Sequence, residues 1–219
     1  MRNQSTEDYL KGVYRLRGKN RRAVSTSDLA RHLHIGDGSV TDMLKRLSAK
    51  KLLHYVPYQG VTLTEEGSRL AMKTIRRHRL WEMFLVRHLG YGWDEVHEEA
   101  ERLEHVTSSE LEARLDRALG SPALDPHGDP IPTADGELDE PHHRSLAECP
   151  PGTRCRVRRV SDADKAVLRY LGTIGLTLDA ALVVDRTGAD GATLVTWNGT
   201  SVLLAPAVAR AVFVEEVAS

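Results

Sequence analysis

Cysteine is scarce in this chain of 219 residues: only Cys149 and Cys155 occur, on either side of a Pro-Pro-Gly turn. Two cysteines cannot staple a disulfide scaffold, and no Cys/His pair at zinc spacing accompanies them, so they read as loop thiols. No apolar run approaches the ~18–20 residues of a membrane span. The polar start MRNQSTEDYLKG lacks the apolar stretch of a secretory signal. These absences predict a cytoplasmic protein without a membrane partner and exclude a small disulfide-rich secreted domain; a long coiled coil is excluded too. A Walker A loop, a Rossmann glycine pattern and a nucleophile elbow are also missing, so no small-molecule substrate is expected.

Hydrophobic residues make up 41% and charged residues 28%, a globular balance for one or two domains. The net charge of −1 hides an asymmetry. Residues 1–80 hold seventeen Lys/Arg against seven Asp/Glu, whereas the remainder holds thirteen against twenty-four. A basic front on an acidic body points one end of the molecule at a polyanion.

Periodicity predicts a helix over Thr6–Arg17, a short helix near Leu29–Leu33, a turn at 34–38 and a helix over Ser39–Lys50. Two short strands, Leu52–Val56 and Val61–Leu63, meet at Pro57-Tyr-Gln-Gly60. Helix, helix-turn-helix and β-hairpin is the order of a winged helix. A second helix of this kind enters the major groove. Gly38, Ser39, Thr41 and Asp42 are then placed toward bases or phosphates, with Thr26 and Ser27 at the start of the preceding helix. Lys45, Arg46, Lys50 and Lys51 face phosphates, and Tyr58 and Gln59 occupy the wing tip. A longer helix runs from about Thr64 to Leu89, followed by helices over about 93–106 and 108–120. After the Pro/Gly/Asp-rich stretch 121–141 the pattern changes to five short strands, about 155–160, 181–186, 193–197, 201–204 and 211–217, with a helical piece at 163–172. This reads as a small β-barrel.

His78 and Glu82 stand at i,i+4, as do His97 and Glu101, and Glu101 and His105; Glu104 lies on the same side, and Asp8 is on the first helix. A lone histidine on a helix is usually a surface or capping residue, and an acidic helix face is usually solvated. Two helices that each offer imidazole and carboxylate on one face are harder to dismiss. If they meet, they build one or two mixed N/O sites for Mn, Fe, Co or Zn. The remaining histidines, His127 included, lack such partners and read as structural. His97-Glu98 with Glu101 makes HExxE, which lacks the second histidine of a metalloprotease helix, so a metal-dependent hydrolase is the distant alternative and no enzyme is predicted.

Five stretches carry a resemblance: Ser39-Val-Thr-Asp-Met-Leu-Lys-Arg-Leu47, Tyr58-Gln-Gly-Val-Thr-Leu-Thr64, Arg77-His-Arg-Leu80, Val96-His-Glu-Glu-Ala-Glu-Arg-Leu-Glu-His-Val106 and Asp125-Pro-His-Gly-Asp-Pro-Ile-Pro132. Together they resemble the metal-dependent repressors typified by the diphtheria toxin repressor and the manganese transport regulators. The resemblance implies a mostly α protein with small β parts: a winged helix-turn-helix domain (1–73), a helical dimerisation and metal-binding domain (74–141), a linker (142–152) and an SH3-like, FeoA-like domain (153–219). It implies a homodimer on palindromic double-stranded operator DNA that represses metal-uptake genes. Asp8, Glu101, Glu104 and His105 match the family's primary site, and His78, Glu82 and His97 its ancillary site. The SH3-like module lends ligands in three-domain relatives, for which Asp162 and Asp164 are the candidates here.

Carboxylates at 8 and 101, where the iron-responsive branch has methionine and cysteine, imply Mn(II), with Fe(II) as the alternative. Co(II), Ni(II), Zn(II) or Cd(II) are expected to bind in vitro. At Lys11 the chain departs from the small two-domain manganese regulators, which carry glutamate there. The expected switch is a metal tether from Asp8 to Glu101, Glu104 and His105 that overcomes repulsion among the carboxylates.

Overall fold

In a computed structural model, which describes residues 4–18, 20 and 22–217, most buried apolar side chains gather into two cores. The elements in chain order are α1 (Gln4–Leu16), α2 (Thr26–Leu33), α3 (Asp37–Ala49), β1 (Leu53–Val56), β2 (Gly60–Leu63), α4 (Glu65–Leu89), α5 (Val96–Glu104) and α6 (Ser109–Ala118). They continue as β3 (Arg144–Ser145), β4 (Arg154–Val160), α7 (Lys165–Ile174), β5 (Ala181–Thr187), β6 (Thr193–Trp197), β7 (Thr200–Leu204), α8 (Pro206–Ala211) and β8 (Val212–Glu216). One unit takes the chain up to His78, Glu101–Ala113 and Ile131–Leu138; the other takes Arg79–Ala100, Arg114–Pro130 and the chain from Asp139 onward.

The first unit is the winged helix with added segments. Ser25 caps α2, its hydroxyl accepting from the Asp28 N–H, and α2 ends at His34 in the left-handed conformation. These two local signals set the helix-turn-helix bend. Leu10 and Val13 of α1, Leu29 of α2 and Val40, Leu44 and Leu47 of α3 pack on Leu53 and Val61 of the antiparallel β1–β2 hairpin. Each such side chain contributes ~1.5–3 kcal/mol by leaving water. Glycine is required at 67, where a Cβ would lie 1.8 Å from the Leu52 carbonyl oxygen; its absence lets α4 start against the base of the hairpin. In the same unit Arg76 donates to the Pro132 carbonyl at 2.7 Å and Arg77 to Glu112 at 2.7 Å, which anchors the outlying segments on α4.

The second unit holds a six-stranded antiparallel sheet in the order β3-β8-β4-β5-β6-β7. Its core joins Val157, Leu171, Val184, Val195 and Val212. Cys149 and Cys155 also lie in that core and are free thiols, Cys155 within β4. They are therefore packing residues rather than loop thiols, and burial pushes the Cys155 thiol up to about 12.

Three element boundaries differ from the sequence reading for local reasons. α3 begins at Asp37 because Gly36 takes the extended N-cap conformation. α5 begins at Val96, since Gly92–Glu95 is a turn closed by the Gly92 N–H on Glu95. The stretch expected to be a linker, 142–152, carries β3 and a 3-10 turn at Leu146–Glu148.

Candidate metal centres and DNA-reading surface

α1 presents Glu7, Asp8 and Lys11 along one side, as positions three and four apart must be. In the first unit all three meet the end of α5. Asp8, Glu104 and His105 offer ligand atoms that all lie within 4.8 Å of one another. Asp8 Oδ1 and His105 Nε2 face each other as a buried ion pair at 2.9 Å. A buried carboxylate and imidazole facing each other, with the Glu104 carboxylate alongside, form a mixed N/O set that fits a divalent cation.

Glu7, which sequence reasoning missed, accepts from His105 Nδ1–H at 2.8 Å and so aims Nε2 at Asp8. Burial disfavours charge on His105, but the carboxylates of Asp8, Glu7 and Glu104 outweigh it and push its pKa up to about 10. Glu101, expected in this set, is engaged elsewhere: its Oε2 accepts from Lys11 Nζ at 2.6 Å and lies 3.3 Å from His78 Nδ1. Glu104 accepts from Lys11 at 2.6 Å and meets His78 Nδ1 at 2.5 Å. The expected repulsion among Asp8, Glu101 and Glu104 is thus offset by the Lys11 ammonium, which meets Glu101 and Glu104, and by His105 beside Asp8.

The ancillary trio is divided: His78 belongs to the first unit, Glu82 and His97 to the second. Within the second unit His97 Nδ1 lies 3.5 Å from Glu82 Oε1. Glu82 is also grouped with Asp125 and His127, three buried residues whose ligand atoms lie within 4.8 Å of one another. His127 was read as structural; the structure instead makes it a member of this cluster. The signal lay in Asp125-Pro-His127, a carboxylate and an imidazole two residues apart.

The turn around Asp125 is built by its own Oδ1, which accepts from the N–H groups of His127 and Asp129, both at 2.9 Å. Burial pushes the Asp125 carboxyl well above the usual range; Glu82 and Asp129 add to this, against Arg79. Two buried carboxylates and an imidazole with ligand atoms this close together fit a divalent ion here as well. The Val160 N–H donates to the His127 carbonyl at 2.8 Å, so the chain leaving β4 toward Asp162 starts beside this loop. Asp164 caps α7, accepting from the Ala166 N–H at 2.8 Å. Glu98, the glutamate of HExxE, is exposed and paired with Lys165.

The predicted DNA-reading residues fall on one connected stretch of the first unit. α3 buries Val40, Met43, Leu44 and Leu47 and leaves Gly38, Ser39, Asp42, Lys45 and Arg46 exposed, with Thr41 half-buried and back-bonded to the Asp37 carbonyl. Ser27 donates to Asp37 at 3.1 Å across the helix-turn-helix, beside half-buried Thr26. Lys50 is exposed past the end of α3, and Tyr58 and Gln59 are exposed at the wing tip.

Comparison with known proteins agrees with this arrangement. Residues 1–61 match the model of the iron dependent repressor N-terminal DNA binding domain, 64–133 that of its metal binding and dimerisation domain, and 144–216 the FeoA domain. Iron-dependent repressor IdeR of Mycobacterium tuberculosis is 32% identical over 225 residues, 97% of each chain. The chain belongs to the iron-dependent repressor family. It is accordingly a metal-dependent transcriptional repressor with a DNA-binding and a dimerisation domain.

Other members of this family are similar along the same length. The diphtheria toxin repressor of Corynebacterium efficiens is 33% identical over 223 residues, 97% of this chain and 96% of that one. Among solved structures, a manganese-dependent transcriptional repressor in complex with manganese has a TM-score of 0.89 at 42% identity, covering 97% of this chain and 100% of that one. The manganese regulator SloR has a TM-score of 0.76 at 32% identity, covering 97% and 98%. Among the described residues no helix is long and apolar enough to cross a membrane.

Proposed function

We propose that this family member is a Mn(II)-responsive repressor of metal-uptake genes, acting as a homodimer on a palindromic operator. The observation that carries the reading is the buried Asp8–His105 pair beside Glu104, three residues whose ligand atoms all lie within 4.8 Å of one another. Oxygen and imidazole donors without sulfur favour Mn(II) over thiophilic ions. Asp8, Glu104 and His105 would hold one ion, and Glu82, Asp125 and His127 a second; His78, His97 and Glu101 lie next to these sets in sequence or contact, and Asp162 follows β4 toward the second.

An ion bound by the first set supplies a positive charge shared by α1 and the end of α5. Asp8 binds from the winged helix, His105 must give up its proton, and Glu7 keeps the imidazole turned toward Asp8. Ser39, Thr41 and Asp42 of α3 face the bases or phosphates, with Gly38 permitting close approach. Thr26, Ser27, Lys45, Arg46, Lys50, Tyr58 and Gln59 line the phosphate path. The proposed domains are 1–73, 74–141 and 153–219, with 142–152, which carries β3, leading into the last of them.

Fluorescence anisotropy on DNA from upstream of the chain's own gene tests the reading. Chelated protein should bind weakly and Mn(II) should restore binding, with a midpoint below that of anaerobic Fe(II) relative to their availability in the cell. Iron is the second reading because curated relatives are named iron-dependent. Equal binding in chelator and in metal would refute metal control. Binding should also weaken steeply with salt, as phosphate neutralisation requires.

Asp125→Asn separates the second cluster. A carboxyl raised in the folded state stabilises the fold below its unfolded pKa and loses that contribution as pH rises through the folded value. Asparagine keeps the Oδ1 acceptor and removes the charge. The metal-free variant should therefore melt higher at neutral pH, by about 2–4 °C per kcal/mol relieved, while binding one Mn(II) fewer. Calorimetry and metal analysis read both.

A further inference from the structure

Asp42 is the odd charge on α3. The exposed positions Gly38, Ser39, Asp42, Lys45 and Arg46 recur at helical spacing, so they share one stripe with Asp42 at its middle. Between Arg22 and Leu63 the chain carries six Lys/Arg and only three Asp/Glu, and two of those acids are engaged locally. Asp28 accepts from the Ser25 hydroxyl and pairs with Arg31, and Asp37 accepts from Ser27. Asp42 makes no hydrogen bond or ion pair with any described residue. Arg46, one turn further on, directs its Nη2 to Met43 Sδ at 3.4 Å instead. A free carboxylate on a surface that meets phosphates is repelled by them and weakens binding. Only a hydrogen-bond donor on the nucleic acid offsets that cost.

The major groove offers two such donors, cytosine N4–H2 and adenine N6–H2, whereas guanine and thymine present acceptors. Adenine also sets its N7 acceptor beside the donor, against the second carboxylate oxygen; cytosine has no acceptor of its own there. The neighbours of Asp42 on α3 discriminate less. A serine hydroxyl, as at Ser39, pairs with donors and acceptors alike, and the Thr41 hydroxyl is engaged by the Asp37 carbonyl at 2.9 Å. We propose that Asp42 reads cytosine, its carboxylate accepting from N4–H2 at one fixed position of each operator half-site. Asp42 is then a specificity-determining residue: it rejects the other bases at that position and lowers the affinity for unrelated DNA. This rests on the placement of α3 against the bases.

The test selects bound fragments from random duplex DNA with the Mn(II)-loaded full chain and sequences them, for wild type, Asp42→Ala and Asp42→Asn. Wild type should enrich cytosine at one position of each half-site. Replacing that C·G pair by T·A should weaken wild-type binding about 5–150-fold, the range for one mismatched pair. Asp42→Asn should move the preference there to adenine, since an amide matches N6 and N7 together. Asp42→Ala should lose the preference at that position alone, keep the rest of the site and bind unrelated DNA more tightly than wild type. An Asp42→Ala protein that still selects cytosine there overturns the proposal, as does one that loses preference at every position, the mark of a structural role. Wild type that enriches no sequence at all overturns the placement of α3 against the bases, a result distinct from an unchanged preference.

Discussion

Asp8→Ala should abolish the metal dependence of DNA binding while leaving a folded protein. Allosteric couplings of this kind are worth ~1–3 kcal/mol, or about 5–150-fold in affinity. The mutant should bind operator equally in chelator and in Mn(II), at the weak, metal-free level. The argument is geometric. Asp8 Oδ1 is one of three ligand atoms in the first cluster and the only one carried by α1. Glu104 and His105 belong to the end of α5 and the residue after it. Removing the α1 donor leaves an incomplete set, so a bound ion would no longer connect these segments. Folding should survive, because the alanine loses only the ion pair with His105, which Glu7 still holds through Nδ1. Lys11 and Glu7 continue to join α1 to Glu101, Glu104 and His105. Retained Mn(II) stimulation of the mutant, measured by anisotropy beside wild type, would rule out Asp8 as the link.

The second large effect is on pH. With its pKa pushed up to about 10, His105 carries a proton in the metal-free chain throughout the physiological range. A metal ligand must be deprotonated, so binding at the first cluster releases that proton. Affinity for Mn(II) should therefore rise about tenfold per pH unit, or roughly a hundredfold from pH 6.5 to 8.5. Titrations in the Asp125→Asn background isolate this cluster, and calorimetry in buffers of different ionisation enthalpy counts the proton. A flat profile would mean that His105 stays protonated and is not a ligand. Metal-free stability has the opposite sign. A folded pKa above the unfolded value of about 6.5 stabilises the fold fully below pH 6.5 and ceases to do so as pH rises through about 10.

Elements governed by local periodicity were legible in the sequence. The amphipathic stripes of α1, α3 and α4 and the alternation in β4, β5 and β6 each encode which side is buried. α8 was hidden because Pro-Ala-Val-Ala-Arg-Ala has no polar face to set a helical period, and it leads directly into β8. Site residues followed the same division. Glu101, Glu104 and His105 stand out at helical spacing, whereas Asp125 and His127 lie on an irregular turn and meet Glu82 only through the fold. Glu7 looks like any solvated charge on a helix, and Lys11 stands out only as a departure from the resembled regulators; the burial and partners of both are tertiary facts. For the same reason the sequence assigned Glu101 to the ion and did not show the lysine that engages it.

The placement of Glu7, Asp8 and Lys11 on one side of α1 also constrains the gene that encodes them. Each added or deleted residue rotates the downstream part of a helix by about 100°. A one-codon insertion between Asp8 and Lys11 would turn the counter-charge away from the orienter and the ligand, without altering any of the three residues. The exposed positions Gln4, Ser5 and Arg15 leave room for substitution. The first helix should thus drift freely in letters while staying rigid in length, a pattern in which a frame-preserving deletion is more damaging than most missense changes.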